Sequence, residues 1–259
     1  MTLTWTRVNN YYKRNIARAL FRKLVDVRPQ VPLVSFTFDD FPRSALLAGG
    51  AILSRFDVRG TYYASFGLLG TDAPTGPIFI SSDLPILMNG GHELGCHSFS
   101  HLHSWDTDVR SYEHSLVENR AALNRLVPGV EFKTFSYPIS APRPLIKLRA
   151  AKHFLCCRAG GQTFNVGTTD LNQLAAYFLE KGRNDVKSVT DMIDRNRAHR
   201  GWLIFATHDI SASPTPYGCT PEFFEHIVRY ARNSGARILP VIEALEVLGA
   251  ANGGSIRVG

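Results

Sequence analysis

Residues 33–42 read Leu33-Val34-Ser35-Phe36-Thr37-Phe38-Asp39-Asp40-Phe41-Pro42, an apolar run that passes without a break into two carboxylates. A run this apolar predicts a strand buried on both faces, as in a parallel sheet covered by helices. Charge at the end of such a strand must be solvated, paired or bound to a metal. Successive side chains on a strand point to opposite sides, so Asp39 and Asp40 meet different partners. One can bind a metal while its neighbour handles protons. Taken alone, the pair is equally well explained as an Asp-Asp-x-Pro turn or a helix cap.

Further apolar runs follow at residues 61–65, 93–96, 133–137, 154–157, 176–179, 202–207 and 237–241. Between several of them lie helical patterns, clearest at 44–56, 109–126, 186–199 and 221–233. Strands regularly separated by helices predict an α/β fold on a parallel sheet, open or closed into a barrel. No linker, internal repeat or low-complexity tract interrupts residues 31–259, so these are expected to form one domain.

The composition fits that reading. Of 259 residues 44% are hydrophobic and 20% charged, which excludes disordered, collagen-like and disulfide-scaffold classes. The net charge of +7 is unevenly placed: residues 1–30 hold seven basic side chains against Asp26 alone, and the remainder carries only +1. A nearly neutral body does not offer an extended nucleic-acid-binding face. Trp5, Val8, Tyr12, Ile16, Leu20, Leu24 and Val27 recur at spacings of three or four. This predicts a basic amphipathic helix over residues 5–27, lying on the body of the protein or touching an anionic membrane surface. The first residues show no apolar leader core, and the four cysteines match no zinc spacing. The cytoplasm is the expected compartment, with Cys96, Cys156, Cys157 and Cys219 as buried thiols.

The second concentration of chemistry is Gly90-Gly91-His92-Glu93-Leu94-Gly95-Cys96-His97-Ser98-Phe99-Ser100-His101-Leu102-His103. His97 and His101 stand four apart, so one helical turn would bring both imidazoles to one side. With Asp40 they make a two-histidine, one-carboxylate set that leaves positions open for water and substrate. His92 precedes the strand and is expected to be structural, while His103 is a spare candidate ligand. The third concentration is Trp202-Leu203-Ile204-Phe205-Ala206-Thr207-His208-Asp209, where His208 is a candidate general acid. Asp39, Asp40, His97, Tyr137-Pro138 and His208 all fall just past the C-terminal ends of predicted strands, the face on which barrel enzymes gather their catalytic groups. Trp105, Tyr137, Trp202 and Tyr217 are candidates to stack on sugar rings, with ordinary packing as the alternative. The turn-rich loop 211–218 is a candidate rim over the pocket.

Thr37-Phe38-Asp39-Asp40, Gly60-Thr61-Tyr62-Tyr63 and Gly91-His92-Glu93-Leu94-Gly95-Cys96-His97-Ser98-Phe99-Ser100-His101, in this order, resemble the NodB-type polysaccharide deacetylases, also called carbohydrate esterase family 4. The resemblance spans roughly residues 33–245. It implies a distorted (β/α) barrel of about seven parallel strands. It also implies a divalent metal, zinc first with cobalt, manganese or nickel as alternatives, held by Asp40, His97 and His101. Asp39 is then the general base and His208 the general acid in removing N-acetyl groups from a glycan, and a backbone N–H near Ile139 supports the oxyanion. The family's third motif, Arg-x-Pro-Tyr, departs here: the chain has Ser136-Tyr137-Pro138-Ile139, with serine at the arginine position. Tyr137, Pro138, Ile139 and Arg143 are the expected substrate-side residues, and Arg143 is a candidate partner for Asp39. The fourth motif is not recognisable, although Asp170 and Ala176-Tyr177 lie in its part of the chain. Two other readings stay open: a different amide hydrolase on the same fold, deformylase or allantoinase-like, and a carbohydrate-binding barrel without turnover. A non-haem iron oxygenase is set far behind, because its close His-x-Asp pair is missing.

Overall fold

The structure, a computed structural model, describes residue 12 and residues 15–139, 141–249 and 257–258. Leu33–Phe38 forms strand β1, buried along its whole length. It is joined by β2 (Thr61–Ala64), β3 (Glu93–Cys96), β4 (Thr134–Ser136), β5 (Cys156–Arg158), β6 (Tyr177–Phe178) and β7 (Trp202–Thr207) in the order β6-β7-β1-β2-β3-β4-β5, all parallel. That order is the chain order read around a circle, as a (β/α) barrel requires. A short strand β8 (Arg237–Ile238) pairs with the start of β1. The expected α/β barrel of about seven strands is therefore the observed fold.

The two edges of the sheet, β5 and β6, are joined by the chain just before β6. Leu174 N–H donates to Cys157 O and Leu174 O accepts from Ala159 N–H, both at 2.8 Å. Three residues later Tyr177 pairs with Phe205 on β7. One stretch thus touches both edges, and the barrel is distorted at this join.

Strand alternation sorts the core into two bodies. Leu33, Cys156, Ala176, Trp202, Ile204 and Ala206 pack together inside the barrel. Val34, Phe36, Phe38, Phe135, Cys157, Leu203 and Phe205 face outward into the layer under the helices. The helix Val109–Leu126 presents Tyr112, Ser115, Leu116, Asn119, Ala122 and Leu123 to the sheet at the expected three-to-four spacing. Asp108 caps it by accepting from the N–H groups of Arg110 and Ser111, which stabilises the helix by about 1 kcal/mol. Pro221–Asn233 starts on Thr220 as cap with Pro221 in its first turn. No described helix is long and apolar enough to cross a membrane. All four cysteines are unpaired and buried.

The helix expected over 5–27 is corrected in its last third. Residues 15–19 are helical, Phe21 takes φ +52°, and Lys23–Val27 is a strand paired antiparallel to Gly167–Asp170. The free edge of Gly167–Asp170 offers a hydrogen-bond ladder, and Val25 and Val27 favour extended backbone, so strand pairing overrides the helical spacing. Lys147, fully buried, fastens this junction: its ammonium donates to Ala17 O at 2.6 Å and Leu20 O at 2.9 Å and pairs with Asp170 at 2.5 Å. The rest of the N-terminal expectation, residues 1–11, 13 and 14, lies outside the described residues.

Candidate active site

The inward alternation, carried past the strand ends, assembles the site. On β1 it runs Leu33, Ser35, Thr37 and then Asp39; on β7 it runs Trp202, Ile204, Ala206 and then His208. On β3 the same parity leads through Glu93 and Gly95 to His97, and on β4 and β5 it ends on Ser136 and Arg158. Five strands therefore place five polar side chains in one layer at the C-terminal end of the barrel, above an apolar interior.

Asp40 and His101 join this layer through bends in the backbone. Asp40, Phe41, Ser98 and His101 all take positive φ, between +51° and +62°, which is costly for residues with a side chain, at about 1–3 kcal/mol each. Helical geometry was expected to bring His97 and His101 together. They meet instead across a non-helical turn, with ring centroids 5.1 Å apart, in which Leu102 N–H bonds Ser98 Oγ. The hydroxyls and left-handed residues of this turn offered the backbone an alternative to a helix. Ser115 of the helix Val109–Leu126 holds it from outside, its Oγ accepting from the N–H groups of Phe99 and Ser100, while Asn119 Nδ2 donates to Ala64 O at the end of β2.

The donor atoms of Asp40, His97 and His101 lie within 4.8 Å of one another. Asp40 Oδ1 stands 3.4 Å from His97 Nε2 and 3.2 Å from His101 Nε2. That oxygen is buried and has no well-formed hydrogen bond among the described residues. Asp40 Oδ2 accepts from Thr75 Oγ1 at 3.0 Å. Burial opposes ionisation of Asp40, but the imidazoles of His101 and His97 outweigh it and hold the carboxyl well below its usual range. His97 Nδ1 lies 2.8 Å from Ser136 O, and since a carbonyl only accepts, the ring carries its proton there and Nε2 keeps a lone pair. Burial pushes His97 down to about 4, so it is neutral at physiological pH. A buried, orphaned carboxylate oxygen facing two imidazole nitrogens, one already oriented by a carbonyl behind it, fits a divalent metal of the zinc type. His103 is not part of this group; it pairs with Asp106. His92 is structural as expected: its Nδ1 accepts from Gly60 N–H at 3.1 Å, and burial pushes it down to about 4.

Asp39 faces the other way, and its partner is one the sequence reading missed. Arg158 Nη2 bonds Asp39 Oδ1, and Ser136 Oγ donates to the same oxygen at 3.1 Å. Arg158 is 1% exposed, its guanidinium lying 5.3 Å over the ring of Tyr63 and 5.7 Å over that of Phe178. Ser136 and Arg158 are direct register partners across β4 and β5. The arginine absent from position 136 thus stands one strand over at the same height. Burial would raise Asp39, but Arg158, with His97 and His208, outweighs it and holds the carboxyl below its usual range. Arg143 is not bonded to Asp39 among the described residues; its N–H donates to Ser104 Oγ at the start of the helix Pro144–Ala150. The available signal was a lone arginine ending a strand of otherwise apolar residues, Phe154-Leu155-Cys156-Cys157-Arg158.

His208 Nδ1 lies 3.2 Å from Tyr217 O, and the two rings meet edge to face at 5.6 Å. Tyr217 is 45% exposed, on the loop that follows β7. Ile139 is also exposed and takes φ +67°, directly beyond β4. Tyr137 and Pro138 are buried, and the Tyr137 hydroxyl donates to Asn172 O. Trp202 is fully buried inside the barrel with its N–H on Ser35 Oγ, so the expectation that it could stack on a sugar is corrected. Trp105 donates its N–H to Ala141 O.

Residues 26–154 match the family model described as polysaccharide deacetylase. No curated protein matches the chain in sequence. Among solved structures it is similar to the family 4 domain of a multidomain xylanase from the hindgut metagenome of Trinervitermes trinervoides, at 20% identity and TM-score 0.59, covering 85% of this chain and 92% of that one. It is also similar to a family 4 acetyl xylan esterase from Clostridium thermocellum in complex with a cobalt ion, at 20% identity and TM-score 0.55, covering 84% and 92%. A family 4 pseudoenzyme from Bacillus anthracis is similar at 13% identity and TM-score 0.57, covering 84% and 66%. Fold, strand-end layer and family match agree, and the chain belongs to the polysaccharide deacetylase family, the NodB-type group known as carbohydrate esterase family 4.

Proposed function

We propose that this protein is a metal-dependent hydrolase that removes N-acetyl groups from an acetylamino sugar of an oligosaccharide, polysaccharide or lipid-linked glycan. The observation that carries the reading is the one layer in which Asp39 and His208 flank the Asp40, His97 and His101 cluster. Those three residues would hold the divalent ion, zinc first, with cobalt, manganese or nickel as alternatives. Such an ion acidifies a bound water and polarises the acyl carbonyl. Asp39 is ionised because Arg158 offsets its burial, and its Oδ2, free of the Arg158 and Ser136 bonds, accepts the proton as water attacks. The Ile139 N–H supports the oxyanion that develops on the carbonyl oxygen. His208, held at Nδ1 by Tyr217 O, gives a proton from Nε2 to the departing amine, and acetate is released. On this reading Ile139, Arg143 and Tyr217 meet the substrate, and Tyr137 and Pro138 of the expected set, being buried, act by supporting the strand end.

A glycan-binding barrel without turnover is the second reading, favoured by serine at the position of the family's arginine and by the likeness to a pseudoenzyme. Arg158 at the same height speaks for turnover. The test is metal analysis of the purified protein joined to acetate release from a panel of N-acetylated sugars. Asp39→Asn is expected to keep the metal and lose about 10²–10⁴-fold in rate. Wild type that takes up no divalent metal under any reconstitution would overturn the mechanism, and formate in place of acetate would redirect it to a deformylase.

We also propose a cytoplasmic location with no nucleic-acid partner, and a peripheral contact with anionic membrane through the part of residues 5–27 that precedes the paired strand Lys23–Val27. Neutralising Arg7, Lys13, Arg14 and Arg18 should weaken binding to anionic vesicles, and leaves the paired strand Lys23–Val27 intact. Binding that stays unchanged removes this assignment.

A further inference from the structure

We propose that Asp209 is a positioning residue for the proton donor: it closes the loop after β7 on itself, so that Tyr217 O stays on His208 Nδ1. The inference rests on the reading of His208 as the donor. Asp209 directly follows His208, and its opposite parity turns its side chain away from the inward layer. It is 3% exposed, and its two carboxylate oxygens accept from one residue, Thr215 N–H at 2.9 Å and Thr215 Oγ1 at 2.5 Å. Its backbone carbonyl accepts from Cys219 N–H at 3.1 Å, and Ser211 N–H donates to Cys219 O at 3.2 Å. The loop therefore begins and ends on the same residue. Gly218 passes so near that a Cβ there would lie 2.2 Å from Asp209 Oδ1 and 2.3 Å from Asp209 O, so only glycine lets the chain wrap this tightly. Arg183 braces the loop from outside, donating to Thr215 O at 3.1 Å and Gly218 O at 3.4 Å.

Tyr217 sits between the two residues so fixed, Thr215 and Gly218, and its carbonyl is thereby carried to His208. A carbonyl can only accept, so it selects the imidazole with the proton on Nδ1 and leaves Nε2 to exchange a proton with the substrate. A free neutral imidazole prefers the opposite tautomer, so the choice depends on the loop. The same closure sets the Tyr217 ring edge to face with the imidazole, at 5.6 Å. One loop thus orients the donor and presents the exposed aromatic face beside it.

The test is long-range ¹H–¹⁵N NMR of histidine-labelled, metal-reconstituted protein above the imidazole titration, with His208 assigned by its loss in His208→Gln. Wild type is expected to show the Nδ1–H tautomer at His208. Asp209→Ala should move it toward the Nε2–H form and lower kcat about 10- to 100-fold, with KM and metal content unchanged. Asp209→Asn should fall between, because its side-chain oxygen still accepts from Thr215 N–H. Should Asp209→Ala fail to fold, Thr215→Val removes one of the two bonds, keeps the buried charge, and is expected to shift the tautomer in the same direction. A folded, metal-loaded Asp209→Ala or Thr215→Val with the wild-type tautomer overturns the inference. If wild type hydrolyses no acetylated sugar, the functional reading fails, while the tautomer comparison still decides the role of Asp209.

Discussion

The two halves of the strand-end layer are built under different constraints. The Asp40, His97 and His101 half comes from two short stretches whose spacing follows the family pattern, and strained backbone holds it in place. The other half draws Asp39, Ser136, Arg158 and His208 from four strands, and its supports depart from the family pattern. Arginine stands on β5, opposite the serine of β4, and a backbone carbonyl stands behind His208. Metal donors must converge on one point within a few tenths of an ångström, so their positions are hard to exchange. Holding a carboxylate ionised requires only a positive charge at hydrogen-bond distance, and any inward position at the right height can supply it. Coordination therefore keeps its sequence address, while electrostatic support keeps only its place in space.

This contrast can be broken at either half. The largest effect is expected from His97→Ala or His101→Ala: metal content falls, and the rate drops about 10³-fold or more as several kcal/mol of transition-state stabilisation are lost. Arg158→Met comes next. It leaves Asp39 buried without its cation, costing about 3–5 kcal/mol in urea unfolding at pH 7. In wild type the folded-state pKa of Asp39 is depressed, so its stabilisation is present at neutral pH and lost as pH falls through that value. In the variant the largest opposing influence is gone, so burial weighs more and the pKa rises. The stability gap should therefore narrow toward pH 4, and the acidic limb of the rate profile should move to higher pH. The reciprocal pair Ser136→Arg with Arg158→Ser is expected to regain at least about tenfold of the rate lost by Arg158→Ser alone, since the two positions face each other in register. No recovery would show that support is tied to its strand after all. Ser136→Ala, which removes one hydrogen bond to Asp39, should cost about 1 kcal/mol of stability and less than tenfold in rate.

The contrast also explains what could be read beforehand. The strands at 33–38, 93–96 and 202–207 and the helices at 109–126, 186–199 and 221–233 coincide with the observed elements, because each has its own periodicity and end signals. The helix Val241–Val247 took over the end of a strand expected to reach residue 241, since Pro240 starts it. β6 and β8 lie inside the runs expected at 176–179 and 237–241 but keep only two paired residues each, because a short strand extends only as far as its neighbours pair with it. Asp39, Asp40, His97, His101 and His208 were legible from strand-end position and motif spacing. Arg158 was not, because its role follows from the β4–β5 register rather than from nearby residues. The helical junction to Lys23–Val27 failed for a related reason: its competitor, the edge at Gly167–Asp170, lies more than a hundred residues away.

The join at Leu174 has a mechanical consequence. A ring of strands whose two edges meet through one isolated bridge, Arg158 with Leu174, behaves as a split ring: outward strain widens the gap there before it bends the continuous ladders elsewhere. Among the barrel's backbone amides, those of Leu174 and Ala159 are accordingly expected to exchange with deuterium ahead of those in β1 and β7, whose six-residue pairing has no such gap. Arg158 ends β5 on one lip of that split and leans over Phe178 on the other, so the residue that keeps Asp39 ionised also clasps the ring.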